Sequence, residues 1–170
     1  MWIFTKKSIE ESFTTIFEKR RWPKGFPETV SGAGLNGITY VGIDIVASIV
    51  RRNSDRYGNE RRTFHHADIT ADSFPIQPDL ILCRDCFVHL TNDLIQQAIS
   101  NIKRSGSTYL LTTTFPNLQK NSDLRKVGRW RPINLSLPPF NFPSALDVVG
   151  RRRSERPGLA SCEASLRVAT

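Results

Sequence analysis

Ile38-Thr39-Tyr40-Val41-Gly42-Ile43-Asp44 is a short run of β-branched and aromatic residues that ends on a carboxylate, which is a strand signal. Behind it Val46, Ala47, Ile49 and Val50 recur with Arg51, Arg52 and Arg56 opposite, the spacing of an amphipathic helix. Working outward, Arg62-Thr63-Phe64-His65-His66-Ala67 reads as a second strand leading to Asp68, and Leu80-Ile81-Leu82-Cys83 as a third. This third run is continuously apolar, as in a strand covered on both faces. Asn92 to Lys103 puts Leu94, Ile95, Ala98 and Ile102 on one helical face and stops at Arg104-Ser105-Gly106, where glycine supplies a left-handed cap. Thr108 to Thr114 is the last strand legible by pattern. Strands alternating with helices require right-handed crossovers, so the expected class is α/β with a doubly wound, mostly parallel sheet.

Before this core, Ser8 and Glu11 have capping-box spacing, and Ile9, Phe13, Ile16 and Phe17 continue it as a helix to about Arg20. Trp22-Pro23-Lys24-Gly25-Phe26-Pro27 breaks that helix, and the small polar residues 28–37 read as loop. After Phe115 the chain is interrupted by Pro116, Pro132, Pro138, Pro139 and Pro143. The expected organisation is a helix and loop over 1–37, a core over 38–117, a Pro-rich segment over 118–149 and a basic tail without regular structure over 150–170.

The chain has 170 residues, 39% hydrophobic and 24% charged, an ordinary globular composition for one domain. No run of 18 apolar residues is present to span a bilayer. Met1–Phe13 is too acidic and too weakly apolar for a leader peptide. Three cysteines without framework spacing suit a reducing compartment, so a cytoplasmic protein is expected. The net charge is +8, and residues 151–170 alone carry five Arg against two Glu.

The informative pair is Asp44 and Asp68, each at the carboxyl end of an expected parallel strand, the edge where open α/β sheets bind ligands. Carboxylates there can accept from a ribose diol and from an adenine amino group; each can equally cap a turn. The series YVGIDIV, FHHADIT, DLILCRDCFVHL and SGSTYLLTTTFPN resembles a class I S-adenosylmethionine-dependent methyltransferase over about residues 38–117, and WRPINL with PPFNFP resembles a small-molecule branch of that family. The resemblance implies a Rossmann-like sheet, S-adenosylmethionine as cofactor and a small-molecule methyl acceptor. It implies that Asp44 binds the ribose, that Asp68 lies near adenine and that Arg84 is on the cofactor side. Asp85 and His89 would stand on the acceptor side, with no metal required.

The same resemblance requires a first strand and a glycine-rich loop ahead of the Asp44 strand. Between Val30 and Ile38 there is neither an apolar strand nor a helix. Ser31-Gly32-Ala33-Gly34 is similar to the family sequence upstream of that strand, so a segment lost near Asn36 is expected, leaving an incomplete sheet of about four recognisable strands. Strands two and four would then pair directly or leave buried backbone groups unsatisfied. The tail from Arg151 lacks the family's closing strands, as a shifted reading frame after about Val149 would produce. The enzyme would be weakly active or inactive.

Other signals are weaker. Gly32, Gly34 and Gly37 satisfy G-x-G-x-x-G, but a loop precedes them and a strand follows, the reverse of a phosphate cradle. Cys83 and Cys86 form a C-x-x-C whose first cysteine closes a strand instead of opening a helix, against the redox reading. His65, His66 and His89 lack the spacing for zinc with them. His89 is either a cleft-facing base or a core residue. Two alternatives stand beside the methyltransferase reading: a non-catalytic remnant, or a basic nucleic-acid-binding module whose face would be Arg51, Arg52, Arg56, Arg61, Arg62, Lys103, Arg104, Lys120, Arg125, Lys126, Arg129 and Arg131, although no binding motif accompanies them. Asn134-Leu135-Ser136 is a glycosylation sequon.

Overall fold

Tyr40, Val41, Gly42 and Ile43 are all buried, as are Leu80 to Cys83 and Leu110 to Thr114. Burial of consecutive residues means that both faces of these strands are covered, the condition of a sheet with layers on either side. The computed structural model describes residues 2–5, 39–150 and 163–168, with the backbone alone for 2–5, 147–150 and 163–168. The expected helix over about 9–20 and the loop over 22–37 lie outside the described residues.

The strands are β1 (Trp2–Thr5), β2 (Thr39–Asp44), β3 (Arg62–His66), β4 (Leu80–Cys83), β5 (Tyr109–Thr114), β6 (Asp147–Gly150) and β7 (Glu163–Val168). Among the described residues the helices are α1 (Ala47–Tyr57) and α2 (Asn92–Arg104), with one 3₁₀ turn at Phe87–His89. Among the described residues they form one sheet of order β3-β2-β1-β4-β5-β7-β6. The four strands legible by pattern are β2 to β5, within a residue or two of the expected limits. β2 with β3, and β4 with β5, pair in parallel through the α1 and α2 crossovers.

The centre of the sheet is not open, and β2 and β4 do not pair directly. β1 stands between them, antiparallel to both. Trp2 faces Gly42 and Leu82, Ile3 faces Val41 and Ile81, and Phe4 faces Tyr40 and Leu80. Trp2-Ile3-Phe4-Thr5 is a β-prone run, but at four residues it is too short to show a period of its own. β7 runs antiparallel to β5, and β6 antiparallel to β7. Five of the seven described strands therefore point one way, with β1 and β7 opposed.

The expectation for residues 150–170 is corrected at one place: Glu163–Val168 is strand β7. Ala164, Leu166 and Val168 alternate with Glu163, Ser165 and Arg167, a period of two in plain view.

α2 is the better packed helix. Ile95, Ala98 and Ile102 are buried, and each isoleucine contributes about 1.5–3 kcal/mol by leaving water. Asn101 shares that face and is satisfied there, its amide donating to the carbonyls of Ile69 and Asp72 and its oxygen accepting from Arg104. The helix ends at Ser105, and Gly106 follows at φ +70°, the left-handed position its sequence predicts. A side chain at Gly106 would also meet the Gln77 amide at 2.9 Å. α1 by contrast buries none of its residues, and Ile49 and Val50 are half-buried.

The Pro-rich segment is held by polar side chains. Asn121 donates to the carbonyls of Asn134 and Pro138 at 2.9 Å each, and accepts from the Asn134 N–H at 2.8 Å. Asn134 donates to Pro116 and Leu118 at 3.1 and 3.0 Å. With its amide committed and only 6% exposed, the sequon asparagine is structural in this fold.

Because β1 has a partner on each side, an N–H removed at its middle leaves a buried carbonyl unpaired, at a cost of about 1–3 kcal/mol beyond the lost bond. Ile3→Pro is expected to lower the urea midpoint far more than Val148→Pro in β6, the strand at the sheet's edge. Equal shifts for the two variants would contradict the central placement of β1.

Candidate functional site at the carboxyl edge of the sheet

Parallel pairing of β2 with β3 fixes where the two candidate carboxylates emerge. Asp44, the last residue of β2, is in register with His66, its carbonyl accepts from the Ala67 N–H at 3.2 Å, and Asp68 follows at once. His66 Nε2 bonds to the Ile45 carbonyl at 2.9 Å and ties the two strand ends together. Asp44 Oδ1 accepts from the Val46 N–H at 2.8 Å. Asp68 Oδ1 accepts from the Thr70 N–H and hydroxyl at 2.8 and 2.7 Å. One oxygen of each therefore caps its local turn. Among the described residues nothing bonds to Oδ2 of either, so the capping function leaves each carboxylate a second acceptor.

The strand β4 ends at the same edge. Cys83 is fully buried, Arg84 and Asp85 turn the chain, and half-buried Cys86 opens the 3₁₀ turn. Asp85 sits at φ +50°, an uncommon conformation for a side-chain-bearing residue. Its N–H donates to Thr113 Oγ1 at 2.9 Å, the Thr113 hydroxyl returns a bond to Oδ1 at 3.2 Å, and Arg84 Nε lies 3.2 Å from Oδ2. Both oxygens of Asp85 are thus committed, Arg84 is engaged with it, and neither side chain pairs with Asp44 or Asp68. Thr113 is the residue that strand reading missed; its place at the carboxyl end of β5 was the available signal.

His89 closes the 3₁₀ turn, half-buried. Its Nδ1 lies 3.2 Å from the Arg129 carbonyl, an acceptor, so Nδ1 carries the hydrogen and Nε2 is the basic nitrogen. Its own carbonyl accepts from the Gly128 N–H at 2.9 Å. His89 is therefore coupled to the Pro-rich segment, while Asp44 and Asp68 belong to the β2–β3 side.

Arg131, expected on a basic surface, is instead 5% exposed. Its guanidinium donates to the Ser122 carbonyl at 2.7 Å, the Phe87 carbonyl at 3.4 Å and Asn92 Oδ1 at 2.7 Å. Burial lowers its pKa and Asp123, 3.7 Å away, opposes that. It pins residues 122–131 to the 3₁₀ turn and is removed from any phosphate-binding face. A shallow groove of about 500 Å³ on α1 is lined by Ser48, Arg51, Arg52, Asp55 and Arg56; it holds three arginines of the expected basic face and none of Asp44, Asp68, Arg84, Asp85 and His89. Among the described residues no three His, Cys, Asp or Glu side chains gather as a metal site, and no helix is long and apolar enough to cross a membrane.

The electrostatics bring the two sides of the edge together at Cys86. The neighbouring Cys83 thiol pulls the Cys86 pKa below the ordinary thiol value; partial burial and the Asp44 and Asp68 carboxylates push the other way. Both carboxylates therefore act on one sulfur. Cys83, interacting with Cys86 and fully buried, is raised and stays protonated. A lowered pKa means that thiolate persists to lower pH in the native state than in the unfolded chain. The pH midpoint for alkylation of Cys86 by iodoacetamide is expected to lie below the value in urea, and Asp44→Asn with Asp68→Asn is expected to lower it further. An unchanged midpoint in the double variant would show that the carboxylates do not converge there.

No family model and no curated protein matches the chain. Solved structures do. The N-methyltransferase NodS from Bradyrhizobium japonicum WM9, in complex with S-adenosyl-L-homocysteine, is similar at 14% identity and TM-score 0.53, over 76% of this chain and 65% of that one. Magnesium protoporphyrin IX methyltransferase from Synechocystis PCC 6803, with bound S-adenosylmethionine, is similar at 17% identity and TM-score 0.52, over 76% and 59%. The 1,6-didemethyltoxoflavin-N1-methyltransferase of Burkholderia thailandensis is similar at 15% identity and TM-score 0.55, over 76% and 60%. The chain spans roughly three-fifths of the length of these three structures. At such identities the likeness concerns architecture: the chain has the class I S-adenosylmethionine-dependent methyltransferase fold.

Proposed function

We propose that this chain is a reduced small-molecule methyltransferase whose described residues keep the adenosine half of the cofactor site and do not include a cradle for the methionine half. The observation that supports this most directly is the pair of oxygens, one on Asp44 and one on Asp68 at neighbouring strand ends, that bond to nothing among the described residues. In this reading Asp44 accepts from the ribose hydroxyls and Asp68 from the adenine edge, as charge-assisted acceptors. Arg84, through its pairing with Asp85, shapes the floor of the cleft. S-adenosylmethionine, where bound, supplies the methyl group on a sulfonium.

The methionine half fits poorly. A glycine-rich cradle needs a strand that ends at the carboxyl edge and turns into a helix. β1 runs the other way and ends at Thr5, opposite Thr39, at the amino edge of β2. The acceptor side rests on His89, whose Nε2 can take a proton from a nucleophilic hydroxyl or amine, and on Asp85, which acts by holding the turn. Alignment is the main contribution a protein makes to such a transfer, so loss of half the cradle is expected to leave little turnover. The cytoplasm is the compartment consistent with this reading.

Calorimetric titration tests it. S-adenosylhomocysteine and adenosine are expected to bind with similar dissociation constants, on the order of 0.1–1 mM, and Asp44→Ala is expected to abolish both. A submicromolar constant for S-adenosylhomocysteine together with undetectable adenosine binding would show that the methionine end is held after all. Absence of binding by either ligand would overturn the proposal.

A further inference from the structure

We infer that Cys83 and Cys86 form a reversible disulfide across the Arg84–Asp85 turn, which makes the β4 end of the cleft a redox-responsive site. The inference does not depend on the cofactor reading. Sequence alone argues against redox chemistry here, since Cys83 closes a strand instead of opening a helix. The structure supplies a different arrangement. Both cysteines are free, and they occupy the first and last positions of one tight turn whose middle residues are Arg84 and Asp85. Such a turn holds its ends within about 7 Å between Cα atoms, and disulfides span about 4.4–6.8 Å. Closing the bond therefore asks for side-chain rotation and leaves the strand in place.

The two sulfurs are also differentiated as such a pair requires. Cys86 is half-buried at the edge, and Cys83 is fully buried beneath it. The outer sulfur has the greater thiolate character and is the one that an oxidant reaches. The turn itself is braced from outside, because Thr113 holds the Asp85 N–H and carboxylate while Arg84 holds the other carboxylate oxygen. This bracing keeps Asp85 at φ +50° and keeps both thiols on the same turn.

With hydrogen peroxide as oxidant, the Cys86 thiolate attacks one oxygen, the O–O bond breaks, and hydroxide leaves to become water on taking a proton. The sulfenic acid on Cys86 is then attacked by Cys83, which loses its proton, and a second water leaves as the S–S bond forms. Two thiols and one peroxide give one disulfide and two waters; two electrons pass from sulfur to oxygen. A small dithiol reductant reverses the bond by exchange. Closure removes the thiolate on which the Asp44 and Asp68 charges act and fixes the turn that carries Arg84 and Asp85.

The test uses the full chain, treated with stoichiometric peroxide, trapped with N-ethylmaleimide and mapped by mass spectrometry. A bond between Cys83 and Cys86, reversed by dithiothreitol, is expected, with Cys162 still alkylated. In Cys86→Ser, a substitution at the half-buried position, Cys83 is expected to remain a thiol under the same treatment. Oxidation of Cys86 to sulfinic acid with Cys83 still alkylated, pairing of either cysteine with Cys162, or no loss of thiols would each overturn the inference. Circular dichroism of the oxidised chain is expected to match that of the reduced one. Loss of strand signal on closure would contradict the claim that the bond forms within the existing turn.

Discussion

Two strands buried at the middle of a sheet each present a row of N–H and C=O groups that must be paired, and the rest of this molecule depends on how that demand is met between β2 and β4. An unpaired buried group costs about 1–3 kcal/mol, so several residues left open would exceed the stability of an ordinary domain. The chain meets the demand with Trp2–Thr5, which pairs on both sides. Backbone ladders accept either direction, and antiparallel pairing is no weaker than parallel. The centre can therefore be filled by a strand of opposite direction, and the crossovers through α1 and α2 are unaffected.

Direction matters for chemistry even where it does not matter for stability. A parallel central strand delivers its carboxyl end, and the loop after it, to the edge where Asp44 and Asp68 emerge. β1 delivers its amino end there, with Trp2 opposite Gly42 and Leu82. In the proposed reading β2, β3 and β4 carry the residues for one half of a nucleoside-containing ligand, while among the described residues no strand of the required direction carries the device for the other half. The Pro-rich segment does not compensate. It is fixed to the 3₁₀ turn through Arg131 and to itself through Asn121 and Asn134.

What could be read from residues alone followed from how strongly each signal is tied to local physics. β2, β4, β5 and α2 were legible because continuous apolar runs and a clean helical stripe are dictated by burial. Gly106 was legible as a cap because a left-handed residue at that position favours glycine. β1 was too short to stand out, and its role depends on a gap that exists only in three dimensions. β7 carried a clear alternation at Ala164, Leu166 and Val168 that the neighbouring arginines obscured. Asp44 and Asp68 were legible as residues at strand ends, whereas the turn that one oxygen of each caps is set by the folded loops. Arg131 was grouped with surface cations, since charge alone does not distinguish a solvated guanidinium from one that ties carbonyls together. The Thr113 bracket on Asp85 joins residues 28 apart in the chain, beyond the reach of any local pattern.

The direction of the central strand is the claim on which the proposed division of the site rests, and proton–proton contacts measured by NMR on the isotope-labelled chain report it. The account predicts backbone contacts from residues 2–5 to both neighbours in opposed order, Trp2 with Gly42 and Leu82 at one end and Phe4 with Tyr40 and Leu80 at the other. Contacts running from Trp2 to Thr39, or between β2 and β4 directly, would contradict it.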